Sequence, residues 1–78
     1  MNENFNLPFW YLHFFQLLSA LNESKNENTL YGNYHHLCGY LNGLYCADVI
    51  ESECQSSLFN LCNAALDYTN NELSKSQI

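Results

Sequence analysis

Four cysteines and two adjacent histidines are the residues of this chain whose chemistry would let them hold a metal, form a cross-link or attack a substrate. Cys38, Cys46, Cys54 and Cys62 stand eight residues apart at each step, in the stretch CGYLNGLYCADVIESECQSSLFNLC. Cys38 with Cys62, and Cys46 with Cys54, are each symmetric about residue 50. An antiparallel helical hairpin that turns near residue 50 brings each pair together, and two disulfides then satisfy the short Cα separation such a bond needs. The simpler account is packing. Cys38, Cys54 and Cys62 fall on the apolar stripes of the expected helices, where a free cysteine acts as a small hydrophobe. Only Cys46, beside Asn42 and Gly43, falls off the stripe. With no convincing export signal, free thiols are the favoured expectation and the disulfides its alternative.

His35, His36 and Cys38 cluster in sequence, and His35 with Cys38 is an i, i+3 pair. No CxxC or HxxxH spacing completes a tetrahedral set, so no metal site and no cofactor are expected. Glycine-rich phosphate loops, GxSxG and HExxH are all missing. A nucleophilic cysteine wants a cation beside it, and the chain offers only Lys25 and Lys75. ECQSSLFNLC resembles the cysteine-bearing helix of small secreted phospholipases A2, but the His-Asp pair and calcium loop of that family have no counterpart here. The expectation is a protein that is not an enzyme.

Charge narrows the partners further. Glu3, Glu23, Glu27, Asp48, Glu51, Glu53, Asp67 and Glu72 face two lysines and no arginine, for a net charge of −6. Such a chain has no phosphate-neutralising surface, which argues against direct binding of nucleic acid. It equally lacks the basic helix face that grips anionic membranes. A decoy imitating the charge of DNA is an option, although a solvated acidic surface explains eight dispersed carboxylates more simply. A hydrophobic share of 47% is too high for a disordered chain.

These residues must be positioned by a fold, and the pattern predicts an all-α domain spanning residues 1–78, with helices at about 7–21, 30–46 and 52–68. In LPFWYLHFFQLLSAL, Asn6 is the expected cap, Pro8 suits the first turn, and Leu7, Trp10, Phe14, Leu17, Leu18 and Leu21 recur at helical spacing. Phe9, Leu12 and Phe15 cover a second face, so this helix is expected to be buried nearly all round. The run is too short for a membrane span, and it lacks the basic segment of a signal peptide. Residues 22–29 read as a polar linker. Leu30, Tyr34, Leu37, Cys38, Leu41, Leu44 and Tyr45 mark the second helix, with Gly32, Gly39 and Gly43 on a stripe open to close approach by another backbone. Ser52 to Gln55 matches a capping box for the third helix, whose stripe is Cys54, Leu58, Leu61, Cys62, Ala65 and Tyr68. The second and third helices form the antiparallel hairpin, and residues 1–5 and 70–78 are expected to fray.

Three short helices cannot bury all the aromatic area present. Trp10, Phe14, Tyr34 and Tyr45 are assigned to the core; Phe9, Tyr11, Phe15, Tyr40 and Phe59 are candidate contacts to a partner protein. The segment YHHLCGYLNGLYCADVIESECQSSLFNLCNAALDY, residues 34–68, resembles the small helical proteins carried by bacteriophages and other mobile elements, anti-CRISPR proteins among them. That resemblance implies a stoichiometric inhibitor in the cytoplasm of a bacterial host, occluding a basic, nucleic-acid-binding surface of a host defence complex. Asp48, Glu51, Glu53, Asp67 and Glu72 would supply the charge. The cysteine pairs resemble the twin-cysteine hairpins of the mitochondrial intermembrane space, whose cysteines stand further apart. That likeness implies instead a secreted or intermembrane-space module with a structural or signalling role. A small oligomer subunit, dimerising through the first helix, is the third reading.

Overall fold

The chain folds, in a computed structural model that describes residues 8–76, into three helices: α1 (Tyr11–Asn22), α2 (Glu27–Cys46) and α3 (Ser52–Ser76). Each packs against the other two, and α2 and α3 form the expected antiparallel hairpin. The fold class is therefore all-α.

The helix ends depart from the sequence expectation for identifiable reasons. Asn6 and Leu7, the expected start of the first helix, lie outside the described residues. Pro8 precedes α1, its carbonyl accepting from the Tyr11 N–H at 3.0 Å, and the first helical bond runs from the Phe14 N–H to the Trp10 carbonyl at 3.1 Å. Residues 27–29, expected as linker, are the first turn of α2. The Asn26 side chain accepts from the Thr29 N–H at 2.9 Å, and Glu27 lies at the positive end of the helix dipole. Polar side chains were read there as linker, but they are also what a helix start requires. The connection shrinks to residues 23–26, where Asn33 of α2 reaches back to the Ala20 carbonyl (3.1 Å) and the Ser24 hydroxyl (3.0 Å).

At the other end α3 runs eight residues past its expected stop at 68, to Ser76. Thr69, just past the expected end of the helix, is buried, and its hydroxyl donates to Asn22 Oδ1 at 3.2 Å. Leu73 packs on the core one turn later. The expected capping box is not how α3 begins. Glu51 contributes the carbonyl that accepts from the Gln55 N–H at 2.9 Å, and the Gln55 side chain crosses to Asn42 Oδ1 at 2.9 Å.

The core is small. Phe14, Leu21, Leu30, Leu37, Leu41 and Cys62 are wholly enclosed, joined by Trp10, Leu18, Leu44 and Ile50. The radius of gyration, 14.2 Å, exceeds the roughly 11–12 Å of a compact chain of this length, so the molecule is elongated and rich in surface. That overturns several core assignments. α1 is not buried all round: Phe9 is 85%, Leu12 68% and Phe15 41% exposed. Tyr45, Leu61 and Tyr68, all assigned to the core, face water as well. On α3 the inward stripe is Leu58, Cys62, Ala65, Thr69 and Leu73, rotated from the expected one. The rotation puts the Thr69 hydroxyl on Asn22 and turns Leu61 and Tyr68 outward.

Within the chain no other backbone approaches the glycines. A Cβ added at Gly32, Gly39 or Gly43 would meet nothing within 4 Å. Each of these exposed helical glycines therefore costs stability without a packing return. Gly39→Ala and Gly43→Ala are each expected to stabilise the fold by about 0.5–1 kcal/mol, read as an increase in the urea midpoint at unchanged slope.

Candidate functional site

Three groups of residues have chemistry left over once the core is built: the outer face of α1, the loop between α2 and α3, and the cysteines.

The outer face of α1 carries no charged residue between Tyr11 and Asn22. Leu12 points directly away from the side that Phe14, Leu18 and Leu21 bury, as helical spacing from them requires. Phe9 and Phe15 flank it at three-residue steps. The Tyr11 and Phe15 rings meet edge to face with centroids 4.6 Å apart, which holds Phe15 against the helix while leaving it open to water. Tyr11 is half-buried, as are Tyr40 and Phe59, and all three lean on the core. The Tyr40 hydroxyl donates to the Trp10 carbonyl at 2.9 Å, and its ring meets His13 edge to face at 4.9 Å. Of the aromatic contact candidates, then, Phe9 and Phe15 are available, Tyr11 partly so, and Tyr40 and Phe59 chiefly hold helices together. Leu12, expected on a buried second face and not among the contact candidates, is more exposed than Phe15; its position opposite the Phe14–Leu18 stripe was the available signal.

The loop after α2 is a Schellman motif. The Val49 N–H reaches the Leu44 carbonyl at 2.9 Å and the Asp48 N–H reaches that of Tyr45 at 3.1 Å. Val49 is packed against the core cluster that includes Leu44. Asp48 occupies the left-handed position with φ of 62°, where glycine is the usual residue. Its carboxylate also stands at the negative end of the α2 dipole, an unfavourable site for an acid. Glu51 and Glu53 follow within five residues and all three are exposed. Asp67 and Glu72 are exposed on α3, away from this loop, and Glu72 pairs with Lys75 at 3.4 Å. The five acids proposed as one charge set thus divide, and only the loop trio is a cluster. Asp48→Gly is expected to raise stability by about 0.5–1 kcal/mol in a urea titration, with Asp48→Asn intermediate, since each relieves the dipole clash and glycine also relieves the backbone.

All four cysteines are free thiols in this structure. Cys62 is wholly buried, Cys38 and Cys54 are half-buried, and Cys46 is exposed, as the stripe pattern requires. Burial pushes the Cys62 thiol up from 9.0 to about 11, with a smaller push from the nearby Cys38 sulfur. Tyr34, whose hydroxyl donates to Asn63 Oδ1, is also shifted upward by burial and then by Cys38, Cys62 and Asp67. Among the described residues, no set of three or more His, Cys, Asp or Glu side chains is gathered as metal ligands, and no helix is long and apolar enough to cross a membrane.

No family model, curated protein or solved structure matches the chain.

The buried thiol makes stability depend on pH with a definite sign. The fold favours the protonated form, so the contribution of Cys62 is complete below its unfolded pKa and is lost as pH rises from about 9 through about 11. The loss is at most roughly 2–3 kcal/mol. Denaturant titrations across that range are expected to show Cys62→Ala starting less stable but declining less steeply than the parent, because Tyr34 and Tyr40 titrate in both.

Proposed function

We propose that this protein is a non-enzymatic binding module that docks the outer face of α1 onto another protein, assisted by the acidic Asp48, Glu51 and Glu53 loop. The observation that carries this reading is the exposure of Leu12 and Phe15 on α1, a helix with no acidic, lysine or arginine residue, and of Phe9 in the turn that leads into it. Contiguous exposed apolar residues of this kind mark interaction sites, and aromatic anchors supply most of the binding energy in such contacts.

The acidic loop supports a basic partner surface. Asp48 breaks two local rules at once, backbone conformation and dipole sign, in a chain that is already marginal by its size. Local rules broken in this way concentrate at functional positions. An acidic loop cluster together with an apolar helix face elsewhere on the surface fits a partner that presents a cationic surface, the kind that proteins use to hold nucleic acid. The partner we favour is accordingly the nucleic-acid-binding surface of a bacterial host defence complex, which this chain would occlude in the cytoplasm as a phage- or mobile-element-encoded inhibitor. The same α1 face also supports a second reading, self-association of two copies through α1.

Both readings are open to direct test. In bacterial strains carrying nuclease-based defence systems, expression of the protein is expected to restore transformation by a targeted plasmid in at least one strain. Leu12→Ser/Phe15→Ser and Asp48→Lys/Glu51→Lys/Glu53→Lys variants with intact helical circular dichroism are expected to lose that protection. Each aromatic or aliphatic anchor removed should weaken binding to the purified complex by about 10–100-fold. Protection in no strain would reject the inhibitor reading. Undiminished protection by both variants would reject these two surfaces. Sedimentation equilibrium settles the second reading: a mass that rises with concentration in the parent but not in Leu12→Ser/Phe15→Ser supports it, and a constant monomer mass rejects it.

A further inference from the structure

Cys38 and Cys62 are a pair of thiols that the fold brings together and that the proposed docking face does not use. Their placement follows from the register of α2 against α3. Tyr34 stands level with Asn63, to which it is hydrogen-bonded, and Asn42 stands level with Gln55. Tyr34, Cys38 and Asn42 follow one another at four-residue steps, so Cys38 is the middle member of a ridge whose two neighbours both reach α3.

By that register Cys38 lies level with Phe59, and Cys62 is three residues further along α3, an offset of about 4.5 Å. Side chains lean toward the N-terminus of their own helix. In this antiparallel pair the lean carries Cys38 and Cys62 toward each other across the offset. The influence of each sulfur on its surroundings agrees: both raise the Tyr34 hydroxyl, and Cys38 raises the thiol of Cys62.

Cys46 is the next member of the same ridge, but a four-residue step drifts by about 40° around a helix, and by Cys46 the ridge has turned into solvent. Symmetry about residue 50 pairs Cys46 with Cys54 as well as it pairs Cys38 with Cys62. The packing does not.

We propose that Cys38 and Cys62 form an intramolecular disulfide when the protein meets a low-molecular-weight disulfide such as oxidised glutathione, whereas Cys46 and Cys54 do not bridge. Cys38, the half-buried thiol, reacts first: its thiolate attacks one sulfur of the oxidant, forming a mixed disulfide and expelling one thiolate of the small molecule. The Cys62 thiolate then attacks the Cys38 sulfur and expels the second. Two protein thiols are oxidised to one disulfide, and one small disulfide is reduced to two thiols. The product fastens α2 to α3 at mid-length and makes the hairpin resistant to opening wherever the surroundings are oxidising. This proposal is independent of the identity of any binding partner.

The test is to incubate the full-length protein with excess oxidised glutathione to completion, block remaining thiols by alkylation, and map the unreduced protein. Chymotrypsin, cutting after Tyr45 and Phe59, together with a glutamate-specific protease cutting after Glu51 and Glu53, places each cysteine on its own peptide. The expected product is a monomer containing a linked pair of peptides bearing Cys38 and Cys62, with Cys46 and Cys54 carrying the alkyl group or glutathione. A Cys46→Ser/Cys54→Ser variant is expected to form the same link, with unchanged circular dichroism and a urea midpoint raised by on the order of 1–3 M, reversed by reductant. Cys38→Ser, which alters only a half-buried position, is expected to form no intramolecular bridge. A Cys46 to Cys54 link, glutathione remaining on Cys38 at completion, bridges only between molecules, or a loss of helix on oxidation would each overturn the proposal.

Discussion

The leucine stripe of α2 is the surface on which both other helices are laid. Leu30, Leu37, Leu41 and Leu44 are all buried, and they face Phe14, Leu18 and Leu21 of α1 as well as Cys62 of α3 within a single cluster. Those apolar contacts come from three helices that pack on one another around the α2 stripe, so the position of every other group is referred to that stripe. The polar bonds that fix the angles lie at its edges. Tyr40 on Trp10, Asn33 on Ser24 and Thr69 on Asn22 are partly buried bonds that satisfy polar groups near the core, while Asn33 on Ala20 and Gln55 on Asn42 tie elements together at exposed positions.

A core of this size has consequences for the surface. A short chain buries a smaller fraction of its apolar area than a long one, and an elongated three-helix arrangement buries less again. Phe9, Leu12, Phe15, Leu61 and Tyr68 are left outside because three helices packed on one another each turn only one side inward. Single exposed apolar side chains are ordinary. What distinguishes α1 is that its outer face, with Phe9 in the turn before it, combines Leu12 and Phe15 with no acidic, lysine or arginine residue, whereas the outward side of α3 intersperses Leu61 and Tyr68 with Asp67, Glu72 and Lys75.

The α2–α3 loop shows the opposite economy. Its Schellman bonds and the packing of Val49 on the core make it a well-formed stop, yet the residue at its left-handed position is an acid. An acidic loop built on a rigid stop presents Asp48, Glu51 and Glu53 in a fixed arrangement rather than on a floppy tether. The same rigid stop sets the register of the hairpin and so determines which cysteines oppose each other.

Much of the architecture was legible in the residues. The three helices, the hairpin about residue 50, the burial of Trp10, Phe14 and Leu21, and the exposure of Cys46 follow from apolar periodicity, which reflects which side of a helix must leave water. Helix ends were less legible: Asn26, Glu27 and Thr29 have side chains that suit both a linker and a first turn, and only the hydrogen bonds made distinguish the two. The rotation of α3 was not legible at all. Leu61 and Tyr68 are more apolar than Thr69, and a count of hydrophobicity places them inside. Thr69 goes inside because Asn22, distant in sequence, meets its hydroxyl, and because Leu73 extends the same stripe on the lengthened helix. Periodicity is a property of one helix, whereas the choice between two neighbouring stripes is made by the partner helix, and that information exists only in the tertiary structure.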